Sequence, residues 1–248
     1  MIWNLINTGF QRGSFNMDFD EKEAINLSRS EGNPILRFYG WKPYAISIGY
    51  NQRMEDFDID KINAAGIDIV RRPTGGRAIL HADEVTYSVI MKIENETPKS
   101  IYKFINEGLL HGLRYLSVDA ELSDEGENFP ALYRQSNSIP CFSSTAKSEI
   151  KCRNKKLVGS AQRRYGNVIL QHGSILLGPY HKKIVDFLSP DLSEEKEMLK
   201  KEIELKTIDL KEITGRHISF DEAVDALTQG FADRHGIFFR HAEFVENI

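Results

Sequence analysis

The sequence predicts an α+β fold, a mixed β-sheet with flanking helices, and three observations point there. Strand-like and helix-like stretches are interspersed, but without the regular alternation of a doubly wound parallel sheet. The stretch from Lys147 to Leu177 reads as a β-meander, with turns at Arg153-Asn154-Lys155 and Tyr165-Gly166-Asn167. No repeat, linker or low-complexity tract divides the chain, so its 248 residues fit one domain, taken as 1–248.

Each element has its own signal. Asn16 to Ser30 reads as a first helix, with Phe19, Ala24 and Leu27 able to share a face. Ile35 to Trp41 and Ala45 to Tyr50 read as strands. So do Ile67 to Val70 and Val85 to Ile90. Thr97-Pro98 marks a helix start, followed by Ile101, Phe104, Ile105, Leu109, Leu113 and Leu116 at helical spacing. Ser123 to Pro130 is acidic and reads as a loop. Val168 to Leu177 closes the meander, and Ser189 to Lys201 reads as a charged helix. Ser219-Phe220-Asp221-Glu222 has the capping-box pattern, and Phe220, Val224, Leu227 and Phe231 mark the amphipathic helix behind it.

Composition excludes several classes. The chain is 41% hydrophobic and 27% charged, and its net charge is 32 − 36 = −4, so nothing global points to nucleic acid. There is no run of 18 apolar residues, hence no expected membrane span. The first residues lack a basic segment followed by an apolar core, so a secretory leader is not expected. Cys141 and Cys152 make neither a disulfide framework nor a paired zinc spacing. A reducing cytoplasm fits best. No metal site is expected, and the size fits a monomer.

The chemistry-bearing residues fall in a few short stretches. Arg71-Arg72-Pro73-Thr74-Gly75-Gly76-Arg77-Ala78-Ile79-Leu80-His81 joins two strands through a Gly pair flanked by arginines. Glycine lets a backbone approach a ligand closely. Guanidinium groups are fork donors for carboxylate, carbonyl or phosphate oxygens. The stretch therefore reads as a cradle for an acyl or phosphoryl group, or as a β-hairpin with solvated arginines.

Cys141 lies between Pro140 and a Phe-Ser-Ser run, an irregular setting that suits a nucleophile as well as a buried thiol. A free thiol has a pKa of about 8.5, and lowering it by about 1.5 units, worth roughly 2 kcal/mol, needs a neighbouring cation. Lys156 is the candidate. Gly159-Ser160-Ala161 is a small-residue run inside a strand, marking either close approach of a ligand or a bulge. His172 and His81 are candidate acid–base or orienting groups. Cys152, mid-strand, is taken as non-catalytic. Seven basic residues between Lys147 and Arg164 face a single acid, Glu149. Such a run is a solvated hairpin or a surface that steers an acidic partner.

Taken together, these segments resemble the lipoate–protein ligase/octanoyltransferase family, which is related to biotin–protein ligases. The resemblance spreads from about Trp3 to Phe239, with a core at about 30–240. Arg71 to His81 is similar to the family's Arg-Arg-x-Ser/Thr-Gly-Gly signature. Lys156-Leu157-Val158-Gly159-Ser160-Ala161 resembles its Lys-x-x-Gly-Ser-Ala signature, and His172-Gly173-Ser174 its His-Gly strand. Ligases of the family commonly carry a third glycine where Arg77 stands, and many carry a C-terminal accessory domain, for which no room is expected here. Cys141-Phe142, followed by Glu149-Ile150, resembles the nucleophile region of the cysteine-dependent octanoyltransferase branch. The Ser143 to Ser148 stretch lacks the Pro and aromatic residues of that branch.

The resemblance implies the biotin/lipoate–protein ligase type of catalytic domain. It implies transfer of octanoyl from acyl carrier protein, through a Cys141 thioester helped by Lys156, to a lysine of a lipoyl carrier domain or the glycine-cleavage H protein. It also implies substrate-binding roles for Arg72, Gly75, Gly76, His81, Gly159, Ser160, Ala161 and His172. No cofactor is expected for such a transfer. Two other functions remain open at this point: an ATP- and Mg-dependent lipoate ligase catalytic subunit, and a non-enzymatic acyl- or carrier-binding relative.

Overall fold

A computed structural model describes residues 1–123 and 149–242. The strands are β1 (Ile2–Gln11), β2 (Ile35–Trp41), β3 (Ala45–Ile48), β4 (Asp68–Arg71), β5 (Ile79–His81), β6 (Glu84–Lys92), β7 (Glu121–Leu122), β8 (Ile150–Cys152), β9 (Lys155–Tyr165), β10 (Val168–Leu176) and β11 (Phe238–His241). The helices are α1 (Gly13–Arg29), α2 (Ile59–Ala64), α3 (Pro98–Tyr115), α4 (Ser193–Lys206), α5 (Leu210–Thr214) and α6 (Phe220–His235). The larger sheet runs β11-β1-β2-β6-β10-β9-β8-β7, and the smaller runs β4-β3-β5. Both are mixed: β1 pairs in parallel with β11 and β2, while β2, β6, β10 and β9 pair antiparallel. The α+β expectation holds.

Strand alternation decides what each face does. Leu36 and Phe38 of β2 join Val85, Tyr87 and Val89 of β6 in the main core, beneath α3 and α6. Helix α3 starts as its sequence predicts: the Thr97 side chain accepts from Ser100 N, the Ser100 hydroxyl closes the box, and Pro98 occupies the first turn. The two helices touch backbone to backbone. A Cβ placed on Gly230 would lie 2.1 Å from the Gly112 nitrogen, so only glycine permits this crossing. The opposite sheet face carries Ile35, Arg37 and Tyr39, covered by α1. In the smaller sheet, Ile46, Ile48 and Leu80 turn toward a separate apolar cluster with Ile62, Ile184, Leu188 and Ile203.

Four sequence readings need correction. The Gly-Gly stretch is not a hairpin: β4 and β5 lie on either side of β3, parallel and antiparallel to it. Gly159 to Ala161 is not a bulge, because β9 and β10 pair in unbroken register from Val158↔Ile175 to Tyr165↔Val168. Ser219 does cap α6, but the Glu222 carboxylate bonds Arg216 instead of closing the box. Strands β1 and β11 were not expected. Each is a parallel partner from the opposite end of the chain, with no hairpin turn to announce it. The acidic loop after Ser123 and the segment holding Cys141 lie outside the described residues.

Candidate functional site

A cleft opens where the two sheets meet. From the larger sheet come Tyr39, Trp41, Thr86, Gly159, Ser160, Ala161, His172, Gly173 and Ser174; from the smaller, Ser47, Ile79 and His81. Met17 of α1, the loop residues Arg72, Gly76 and Arg77, and Glu149 with Lys156 complete the wall. Met17, Tyr39, Trp41 and Ile79 make one part of this wall largely apolar.

Most of the predicted site residues are thereby brought together. Arg72, Gly76, His81, Lys156, Gly159, Ser160, Ala161 and His172 all line the cleft. Gly75 lines a neighbouring surface depression with Tyr50, Asn51, Pro73, Thr74, Gln162 and Arg163. Cys141 falls outside the described residues, so its distance from Lys156 is not part of this geometry.

Arg72 differs from its reading as an open fork. Nη1 donates to the Ser47 carbonyl at 3.0 Å and to Ser47 Oγ at 3.1 Å. Nε and Nη2 donate to the Gly75 carbonyl at 3.2 and 3.0 Å, and Nη2 also donates to the Arg77 carbonyl at 2.7 Å. Through these contacts Arg72 braces the loop from within the cleft wall. Gly76 sits at φ +96°, and its carbonyl lies where a Cβ on Gly49 would come within 1.9 Å. A side chain on Gly49 would push the loop away, and one on Gly76 would meet the Arg72 guanidinium at 2.7 Å. Arg71 caps the turn beneath by donating to the carbonyls of Gly49, Tyr50 and Gln52.

Two carboxylate–histidine–hydroxyl chains border the cleft. In the first, Glu84 Oε1 is 2.7 Å from His81 Nδ1, and His81 Nε2 is 2.7 Å from Ser47 Oγ. Thr86 and Ser174 hydroxyls also donate to Glu84 Oε1, at 2.6 and 2.8 Å. The His81 ring stacks on Trp41 with centroids 4.0 Å apart. Burial pushes the Glu84 carboxyl up, but His81 and the donor hydroxyls outweigh it and hold it below the usual value.

In the second chain, His172 Nε2 is 2.7 Å from Thr74 Oγ1, joining the loop to β10. Its Nδ1 is 3.5 Å from Asp20 Oδ2, an ion-pair spacing too long for a well-aligned hydrogen bond. Asp20 is committed elsewhere: it receives Arg37 Nη1 at 2.8 Å, Ser88 Oγ at 2.8 Å and Tyr39 OH at 3.0 Å. Burial raises the Asp20 carboxyl, and Arg37 with His172 more than offsets this. Burial also lowers the His172 pKa, against the pull of Asp20.

At the far wall, Lys156 Nζ contacts Glu149 Oε1 at 2.6 Å, both side chains nearly inaccessible. Glu149 stood out in the sequence as the lone acid of a basic run and, with Ile150, as part of the branch resemblance, but its role as the lysine's partner was missed. The pleat gives Gly159 and Ala161 to the face carrying Ser174 and His172, their register partners. Ser160 turns to the face of Gly173 and Tyr87, its Oγ 2.7 Å from Tyr87 OH. Cys152 is buried with its Sγ donating to the Asp119 carbonyl, and burial pushes its thiol up, consistent with an inert role. Among the described residues no cluster of three or more potential ligand side chains could hold a metal ion, and no helix is long and apolar enough to cross a membrane.

The lipoyl protein ligase A/B catalytic domain model matches residues 12–232. An octanoyltransferase LipM of Kyrpidia tusciae is 40% identical over 239 residues, covering 94% of this chain and 87% of its own. One from Geobacillus kaustophilus is 38% identical, covering 93% and 85%. Among solved structures, a bipartite lipoate protein ligase of Thermoplasma acidophilum, described with its E2 lipoyl domain, superposes with a TM-score of 0.78 at 25% identity, covering 99% of this chain and 88% of that one. A lipoate–protein ligase A bound with ATP gives 0.74 at 27% identity, covering 99% and 90%.

Proposed function

The chain belongs to the lipoyl protein ligase A/B catalytic domain family, and from this premise we propose that it is an acyltransferase moving octanoyl groups in lipoate biosynthesis. The observation that carries the reading is the cleft itself. An apolar wall of Met17, Tyr39, Trp41 and Ile79 meets the buried Lys156–Glu149 pair and a braced Gly-Gly loop. That arrangement suits an alkyl chain ending in a reactive carbonyl. Each buried CH₂ contributes about 0.8 kcal/mol, enough to select chain length.

The donor is octanoyl-acyl carrier protein and the nucleophile is Cys141. Its thiolate attacks the thioester carbonyl, and the carrier thiolate leaves. Lys156 favours the thiolate and later relays protons. Backbone amides of the Gly75-Gly76 loop stabilise the tetrahedral oxyanion. Among the described residues, no backbone carbonyl accepts from the N–H of Gly75, Gly76 or Arg77. The acceptor lysine's amine then attacks the acyl-enzyme. An amide forms, the Cys141 thiolate departs, and the amine gives up a proton. The thioester is already activated, so no ATP is consumed. The acceptor is a lipoyl carrier domain, with the glycine-cleavage H protein as the specific candidate. The likeness to a ligase described with an E2 lipoyl domain supports the carrier class.

Likeness to a ligase bound with ATP favours a second reading, an ATP-dependent lipoate ligase. The names of the relatives and Arg77 in place of a third glycine weigh against it. The purified chain should octanoylate a lipoyl carrier from octanoyl-acyl carrier protein without ATP. Modification only from free octanoate or lipoate with ATP would establish the ligase instead. In the transfer reading, Lys156→Ala raises the apparent pKa of Cys141 alkylation; an unchanged pH profile removes Lys156 from that role.

A further inference from the structure

We propose that Glu84, His81 and Ser47 form a positioning chain whose task is to hold Arg72, and through Arg72 the Gly75–Arg77 wall of the cleft. The polarity of the chain follows from what each group can do. Arginine only donates, so Ser47 Oγ accepts from Arg72 Nη1. An ionised carboxylate only accepts, so the 2.7 Å contact at Glu84 Oε1 places a proton on His81 Nδ1. In the neutral ring this leaves Nε2 as an acceptor, and the Ser47 hydroxyl proton fills it at 2.7 Å. Every proton then points from Arg72 toward Glu84, an arrangement in which each bond polarises the next.

The composition resembles a hydrolytic triad, but burial decides against that use. Ser47 has 0% exposure, so no substrate carbonyl reaches its oxygen in this state, and Arg72 already occupies one lone pair. What the chain does control is the other end of Arg72. Nη1 held on Ser47 orients the guanidinium edge that holds the Gly75 and Arg77 carbonyls. Fold geometry supports this division. Ser47 pairs with Ile79 while His81 pairs with Ala45, so the two side chains are diagonal neighbours on one sheet face. The opposite face of the same strands is apolar core. His81, expected to contact substrate, is thus assigned to positioning, together with Ser47 and Glu84, to which the sequence reading gave no role.

The functional half of this inference rests on the acyl-transfer reading; the structural half does not. Nitrogen NMR of the histidine ring in the wild-type chain reads the structural half alone. Expected is a His81 ring protonated at Nδ1 and bare but hydrogen-bonded at Nε2, with the Nε2 signal moving to its unbonded position in Ser47→Ala. A wild-type ring protonated at Nε2 overturns the chain. For function, Ser47→Ala should lower kcat for octanoyl transfer by about ten- to a hundredfold, less than loss of a direct oxyanion donor, with KM for the donor within about threefold. A folded Ser47→Ala with kcat within about twofold of wild type overturns the positioning role. His81→Gln, which keeps an acceptor for Ser47, should retain more turnover than His81→Leu, and equal loss in the two also overturns it. Were wild type inactive in transfer but correct in tautomer, the reading of function would fall and the chain would stand.

Discussion

His81 and His172 face one cleft, each with a carboxylate behind it and a hydroxyl in front, yet they are built differently. The His81–Glu84 contact is a close 2.7 Å bond, and its hydroxyl, Ser47, reaches the loop through Arg72. The His172–Asp20 spacing is 3.5 Å, because Asp20 spends its better geometry on the fully buried Arg37. His172 touches the loop directly, at Thr74. One chain is tuned to hold a loop. The other borrows a carboxylate whose main task is to neutralise a guanidinium in the core. Similar residues in similar order therefore predict different consequences of mutation.

The sharpest way to separate them is to remove each carboxylate. Asp20→Ala strands Arg37 without its counter-charge and should destabilise the fold by about 3–5 kcal/mol in denaturant unfolding. Glu84→Gln keeps an acceptor oxygen for His81 and should cost far less stability while lowering turnover. Equal stability losses would erase the distinction.

Acid titration probes the histidines next. His172 has its pKa lowered by burial, so the unfolded chain binds a proton that the folded chain refuses. Its contribution is fully present above about pH 6.5 and is lost as pH falls below that. His181, outside the cleft, behaves in the same sense. Burial pushes it down to about 4, worth on the order of 3 kcal/mol between pH 6.5 and 4. Thermal melts should fall through this window, and His181→Gln should flatten the decline. A decline as steep in His181→Gln as in wild type would show that His181 does not contribute.

The smallest effect is expected at Thr74→Val, which removes only the hydroxyl on His172 Nε2. It should cost about 1–2 kcal/mol, since the buried ring nitrogen loses its partner. A neutral result would mean that Thr74 does not anchor the loop to β10.

The same comparison explains what was legible in the sequence. Glu84 follows His81 by three residues, within one readable stretch, although its carboxylate function was passed over. Asp20 meets His172 only because α1 packs across β6 and β10, and no spacing announces that contact. The Gly-Gly loop, Lys156 and the Gly-Ser-Ala strand were visible as motifs because local chemistry constrains them. Which way a strand residue points was not. Ser160 lines the cleft, but the pleat turns its hydroxyl toward Tyr87. Arg72 reads as a fork for a ligand, and its bonds to the Ser47, Gly75 and Arg77 carbonyls could not be read from spacing. The helix read from Asn16 runs Gly13–Arg29 and the strand read from Ile35 runs Ile35–Trp41, whereas β1 and β11 depend on partners at the other end of the chain.

The most direct test of the account is intact-protein mass spectrometry after mixing the chain with octanoyl-acyl carrier protein in the absence of ATP. The account predicts one octanoyl adduct, labile to hydroxylamine, mapped to Cys141, and discharged on adding a lipoyl carrier. No adduct on the wild-type chain, or transfer by Cys141→Ser at the wild-type rate, contradicts it.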